Sequence, residues 1–206
     1  MLKNITRKTL ALAALALAFG NANAGLIGSI EHQYGSAAGK IATASTTGGC
    51  DTLNTNSITV RDGSNCGQRF VDLFDFTALN MSSVEKFVLT LNFASNNGVL
   101  EWWAARPADS TVHGSASNSL LNTTGSTAIS QSFTFTSSLD VFNPIVNNDK
   151  FYLWFVENGP LSQNFTLNSA KLEVYGTAVP EPTSLALLAA AGLGLVAVRR
   201  KGSKRA

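Results

Sequence analysis

The sequence predicts an all-β fold: a single β-sandwich, jelly-roll-like, set between two terminal segments that are not part of it. Three observations carry this. Val84 to Phe93 alternates, with Phe87, Leu89, Leu91 and Phe93 on one face and Lys86, Thr90 and Asn92 on the other, the period-two pattern of a half-buried strand. Turn-forming clusters, Asn96-Asn97-Gly98 and Asn158-Gly159-Pro160 among them, separate such segments. Between residues 25 and 178 no stretch repeats its apolar residues convincingly at helical spacing. About eight short strands with turns between them suit two packed sheets.

The chain opens with a cationic segment (Lys3, Arg7, Lys8), an apolar run from Leu10 to Phe19, and the small-residue pattern Ala22-Asn23-Ala24. Those are the three parts of a secretory signal peptide spanning residues 1–24, and the pattern predicts cleavage before Gly25. The apolar run is too short to span a bilayer.

Residues 25–178 are left to form the domain. They carry seven basic against twelve acidic residues, a net charge of about −5, although the whole chain sums to +2. That balance excludes a basic nucleic-acid footprint. Cys50 and Cys66 are the two cysteines, and an even pair in an exported chain predicts a disulfide. A loop of that size stabilises a fold by about 3 kcal/mol on the chain-entropy account.

Asn56 to Arg61 is the first expected strand, with Ile58 and Val60 facing one way. Arg69 to Phe76 is apolar but interrupted by Asp72 and Asp75, which places it at an edge or a bulge, because two carboxylates buried together repel. After Val84–Phe93 comes Val99 to Trp103, then Ile129 to Thr136 with Ile129, Phe133 and Phe135 inward. Phe151 to Val156 is apolar on both faces and reads as a central strand; Asn164 to Asn168 and Lys171 to Tyr175 close the domain as two shorter ones. Two segments rich in Ser, Thr, Gly, Ala and Asn, Gly35–Thr55 and Ala104–Ser126, read as long loops.

Chemistry-bearing patterns are scarce. His32 and His113 have no metal-ligand spacing between them, and no Gly-x-Ser-x-Gly elbow accompanies the Ser115 hydroxyl near His113. No cofactor or metal is expected. Asp72, Asp75, Glu101, Asp109 and Glu157 are acidic candidates for glycoside cleavage in number only, since that reaction needs two carboxyls at a fixed separation. A non-enzymatic chain is therefore expected. Trp102 and Trp103 beside Arg106, and Tyr152 with Trp154, are aromatic residues of the kind that stack on sugar rings. Neighbours in a strand face opposite ways, so at most one of Trp102 and Trp103 is core, and the other is a candidate glycan platform. The alternatives for function are thus a carbohydrate-binding module and, with less support, a surface glycosidase or lyase.

The last stretch, residues 179–206, has three parts: Pro180-Glu181-Pro182, an apolar run from Leu185 to Val198, and the cations Arg199, Arg200, Lys201, Lys204 and Arg205. The prolines form a stiff extended break. A helix over residues 183–198 spans roughly 24 Å, a little short of the roughly 30 Å hydrocarbon core. The basic end resists translocation, with Arg199, Arg200 and Lys201 fixing the orientation. In this order and at the C-terminal end, the parts resemble the PEP-CTERM sorting signal of exopolysaccharide-producing Gram-negative bacteria. The resemblance implies export through the Sec translocon, transient membrane association through the C-terminal helix, and processing by an exosortase. It further implies a cell-surface or secreted product in an exopolysaccharide matrix or biofilm.

Overall fold

The computed structural model describes residues 25–61, 66–95, 102–122, 127–158 and 164–179. The signal segment with Ala22 and Ala24, the turn at Asn96–Gly98, Glu101 and everything from Pro180 onward lie outside the described residues. Among the described residues ten strands follow one another: β1 (Gly25–Gln33), β2 (Thr52–Leu53), β3 (Ile58–Arg61), β4 (Val71–Asp75), β5 (Met81–Ser95), β6 (Trp102–Ala108), β7 (Ser119–Leu120), β8 (Ile129–Thr136), β9 (Lys150–Asn158) and β10 (Asn164–Ala178). They make two antiparallel sheets. The larger has the order β2-β3-β10-β5-β8, with β1 also paired to β10; the smaller has the order β4-β9-β6-β7. Set the β2–β3 pair aside and the remaining strands run first-eighth-third-sixth in one sheet and second-seventh-fourth-fifth in the other. That interleaving is a jelly roll.

The core lies between the sheets. Phe87, Leu89, Leu91 and Phe93 of β5 are fully buried, as are Phe151 and Leu153 of β9. Rings join the layers: Phe87 to Phe151 at 5.7 Å between centroids, Phe155 to Phe165 at 4.8 Å and Trp103 to Phe165 at 5.0 Å. β9 is central in its sheet, between β4 and β6, as its apolar run requires.

β10 corrects the expectation of two short strands. It is one strand of 15 residues. Phe165 and Leu167 point inward, and then Ala170, Leu172 and Val174 do, so the alternation skips one place. The ladder to β5 shifts register between Leu167 and Ser169, which marks a bulge there. At the same place the opposite edge of β10 changes partner, from β3 (Asn164 to Leu167) to β1 (Ser169 to Gly176).

Other expectations also change. β1 and β2 have no counterpart in the period-two reading, because Gly25, Gly28 and Ser29 dilute the alternation of the first. The expected loop Ala104–Ser126 contains most of β6 and all of β7; Ala104, Ala105 and Ala108 are buried but too small to show a pattern. Pro107 is tolerated in β6 because it faces the edge beyond β7, which pairs only with Ala104 and Ala105; there the Ser115 N–H bonds to the Pro107 carbonyl and no donor is asked of the proline nitrogen. The expected loop Gly35–Thr55 holds β2 and a short helix, Ser45–Gly48. Gly35 turns the chain after β1 at φ +140°, where an added Cβ would lie 2.4 Å from the Thr55 carbonyl oxygen. A second helix, Phe142–Asn148, buries Phe142 and Ile145 and ends at Asp149 in the left-handed conformation (φ 53°). Pro144 sits in its first turn, where no intrahelical donor is lost. The seven residues are too few for a periodic signal.

Cys50 and Cys66 form the disulfide, with sulfurs 2.07 Å apart and Cα atoms 5.2 Å apart. It fastens the segment leading to β2 onto the chain entering β4.

Candidate functional site: the outer face of the smaller sheet

Strand parity fixes two faces on β6 and β9. Trp103, Ala105, Phe151, Leu153 and Phe155 belong to the core. Trp102 and Arg106 of β6, with Tyr152, Trp154 and Val156 of β9, therefore take the outer face. The register sets Arg106 beside Trp154 and Ala108 beside Tyr152, and on the other side Val71 and Leu73 of β4 flank Trp154 and Tyr152. All four larger side chains, Trp102, Arg106, Tyr152 and Trp154, are half-buried. From the level of Trp102 to that of Tyr152 the row is about 20 Å long, at roughly 3.4 Å per residue.

A hairpin-like segment borders this face. Gly114 bridges to Ala108, and the Ser115 N–H donates to the Pro107 carbonyl at 2.8 Å. Gly114 has no side chain, and Trp154 and Arg106 use the room: a Cβ there would lie 3.0 Å from Trp154 Cε3 and 3.2 Å from Arg106 Cδ. The indole thus reaches across β6 beside the arginine stem. Trp154 Nε1 is buried with no acceptor among the described residues. Arg106 Nε and Nη2 both donate to Asn118 Oδ1, at 3.0 and 2.8 Å. Ser115 Oγ donates to Asp140 Oδ1, and the Ala116 N–H donates to Asp140 Oδ2 at 3.0 Å. Those bonds, the Ser115 hydroxyl first, hold the Asp140 carboxyl below its usual range.

The outer face of the larger sheet is different in kind. Thr90 and Ser132 share a hydrogen bond at 2.8 Å, Lys171 pairs with Glu173 at 2.7 Å, and Lys86 sits 4.6 Å from the Tyr175 ring centre. Hydroxyls and paired charges cover it, whereas the smaller sheet shows a row of aromatic rings with Arg106 among them.

The acidic candidates do not converge. Asp72 and Asp75 lie three places apart on β4 and so face opposite ways: Asp72 is buried between the sheets and Asp75 is exposed, bonded to Thr77. The expected edge position holds, but Asp72 is inside. Tyr34 Oη donates to Asp72 Oδ2 at 2.5 Å, and His32 Nδ1 lies 2.7 Å from the same oxygen. The His32 ring stacks on Phe74 at 4.4 Å. This cluster ties the chain at β1 of one sheet to β4 of the other, with its donors spent on each other. Sequence reading missed it, since 38 to 40 residues separate the partners. Asp109 and the exposed His113 hydrogen-bond each other at 2.9 Å. Among the described residues no group of three or more His, Cys, Asp or Glu side chains could hold a metal.

Burial, then the Asp72 charge, then the bond to Asp72 hold the Tyr34 phenol well above its ordinary 10.0. A raised phenol gives stability that is whole below the unfolded value and is lost as pH rises. The unfolded chain releases that proton near pH 10 while the folded chain keeps it, so stability falls by about 1.4 kcal/mol per pH unit above that point. Urea unfolding at about pH 9 and about pH 11 is expected to show a steep alkaline loss that Tyr34→Phe makes shallower. An unchanged slope in the variant would exclude this origin.

The PEP-CTERM protein-sorting motif matches residues 178–201. A search of curated proteins finds no match to the chain. Among solved structures, a xylan-binding module, CBM15, is similar with a TM-score of 0.45 and 12% identity over 73% of this chain and 97% of that one. That likeness is too loose to carry a fold or a ligand from one chain to the other.

Proposed function

We propose, from the sorting motif this chain carries, that it is a non-enzymatic surface or extracellular-matrix protein whose β-sandwich holds polysaccharide of the matrix around the cell. The motif marks the chain as an exported, cell-surface or secreted protein and implies processing by exosortase. Pro180, Glu181 and Pro182 present the recognition break, the apolar run to Val198 crosses the membrane, and Arg199, Arg200 and Lys201 hold its cytoplasmic end. The observation that carries the binding reading is the half-buried aromatic row Trp102, Trp154 and Tyr152 on a regular sheet. Rings of this kind offer large area at little conformational cost and stack on the C–H faces of sugars.

The folded domain ends against the motif. Ala178 is laddered to Met81, and the Val179 N–H donates to the Asn80 carbonyl at 3.1 Å, one residue before Pro180. Cleavage upstream of Ala178 would remove part of β10, the strand that joins β5 to β1 and β3, so processing belongs downstream of it. Replacing Pro180, Glu181 and Pro182 together with alanine is expected to leave export intact and block tail removal. Intact mass of protein recovered from the host surface reads this directly: wild type ends before the apolar run, and the variant extends through Ala206. Normal maturation of the variant would sink the sorting role.

A further inference from the structure

We propose that this face takes a carboxylated polysaccharide, a chain containing uronic-acid sugars, with Arg106 binding the carboxylate. The proposal rests on the glycan-binding reading and adds the ligand's charge to it.

Arg106 stands in the middle of the aromatic row, opposite Trp154 across the β6–β9 ladder. The partner the structure gives its guanidinium is the neutral Asn118 Oδ1, reached by Nε and Nη2. Among the described residues no carboxylate pairs with it, and further N–H donors of the fork have no partner there. The two bonds to Asn118 hold the planar group in one orientation, which lowers the cost of receiving a planar bidentate acceptor. Past Tyr152 on the same face, Lys150 is laddered beside Asp75, whose carboxyl is held down first by its bonds to Thr77 and then by the Lys150 charge. One end of the row is therefore locally neutral and its centre is positive.

The ligand that fits must offer two things together. It needs apolar ring faces to lie on Trp154 and its neighbours, and an equatorial anion to meet the guanidinium edge beside that ring. A hexuronate has both, since its carboxylate lies in the mean plane of the sugar ring. A neutral sugar supplies the first without the second. A free anion supplies the second without the first. A row of about 20 Å takes several sugars in sequence, which favours a polymer over a monosaccharide.

The test uses the processed protein purified from its host and two probes, polygalacturonate and the same polymer fully methyl-esterified. Wild type is expected to bind the acid form about 10-fold to 100-fold more tightly than the ester, the range of a charge-assisted hydrogen bond, and to lose that margin as salt rises. Arg106→Gln, which keeps a donor for Asn118, is expected to bind both polymers alike at the affinity wild type has for the ester. Asn118→Ala removes the internal partner, leaves the guanidinium, and is expected to retain a preference for the acid form. Trp154→Ala is expected to weaken both polymers. Equal binding of acid and ester by wild type would overturn the carboxylate proposal while leaving the glycan reading standing. Loss of selectivity in Asn118→Ala to the level of Arg106→Gln would assign the effect to the bordering segment and overturn the role of the charge. Binding of neither polymer by wild type would overturn the proposal, and failure with a panel of neutral glucans and xylans as well would take the glycan reading with it.

Discussion

Phe87→Ala is expected to cost about 3–5 kcal/mol of folding stability, the range for truncating a fully buried phenylalanine. Its ring sits where four elements meet. It lies 5.5 Å from Phe76 after β4, 5.3 Å from Phe142 of the second helix and 5.7 Å from Phe151 of β9, centre to centre. Removing it opens a cavity lined by other rings, and aromatic rings pinned in opposite sheets cannot collapse into it freely. The lost ring pairs add to the lost transfer energy. For a domain of this size that is a fall in Tm of about 10 °C or more, read by thermal unfolding at neutral pH. Phe87→Leu keeps most of the volume and is expected to lose well under half as much. Equal losses in the two variants would mean that ring packing is not what holds the layers.

Asp72→Ala carries the second large effect, about 3 kcal/mol. The carboxylate is buried between the sheets and receives the Tyr34 hydroxyl while facing the His32 ring nitrogen. Tyr34 is itself fully buried, so without Asp72 its hydroxyl loses the acceptor it has in the interior. The loss comes mainly from the orphaned donors and less from the removed carboxylate. That makes a double-mutant cycle informative: Asp72→Ala in a Tyr34→Phe background is expected to cost about 1–3 kcal/mol less than in wild type. Chemical denaturation of the four proteins reads it. Strict additivity would exclude the hydrogen bond as the source. Asp72→Asn, which keeps one acceptor oxygen, should fall between wild type and alanine.

The two effects show which parts of the molecule a sequence discloses. Phe87 was legible. Its strand is long and regular, the interior is on one side and solvent on the other, and a period of two is the direct imprint of that geometry. The same holds for Ile58 and Val60, for Phe133 and Phe135, and for the apolar run of β9. The cysteine pair was legible because export leaves an even pair one common use. The PEP-CTERM motif was legible because a break, an apolar run and a basic end are linear features.

Asp72 was not legible. Its place on an edge strand followed from the sequence, but its burial depends on Tyr34 and His32 arriving from β1, and nothing local to Asp72 announces them. β10 shows a milder form of the same limit: the bulge after Leu167 shifts the alternation by one residue, which reads as a break in the strand although the ladder to β5 continues. Pro107 and the small alanines hid β6 in the same way, because their place depends on which edge has a neighbour.

The candidate site divides along this line. Trp102, Arg106, Tyr152 and Trp154 were visible as residue types, and strand parity alone required Trp102 and Trp103 to part. Which tryptophan went inward was decided by the partner sheet, where the Phe165 ring receives Trp103. That Arg106 stands beside Trp154 is a matter of register between β6 and β9, separated in the chain by β7, β8 and a helix. By itself the sequence determined the all-β class, the PEP-CTERM sorting motif and the alternating core positions, because each is written in neighbouring residues. Only the tertiary structure decided which strands pair, which carboxylate is buried, and which rings share a face with the arginine, because cross-strand contacts join residues whose separation along the chain carries no signal.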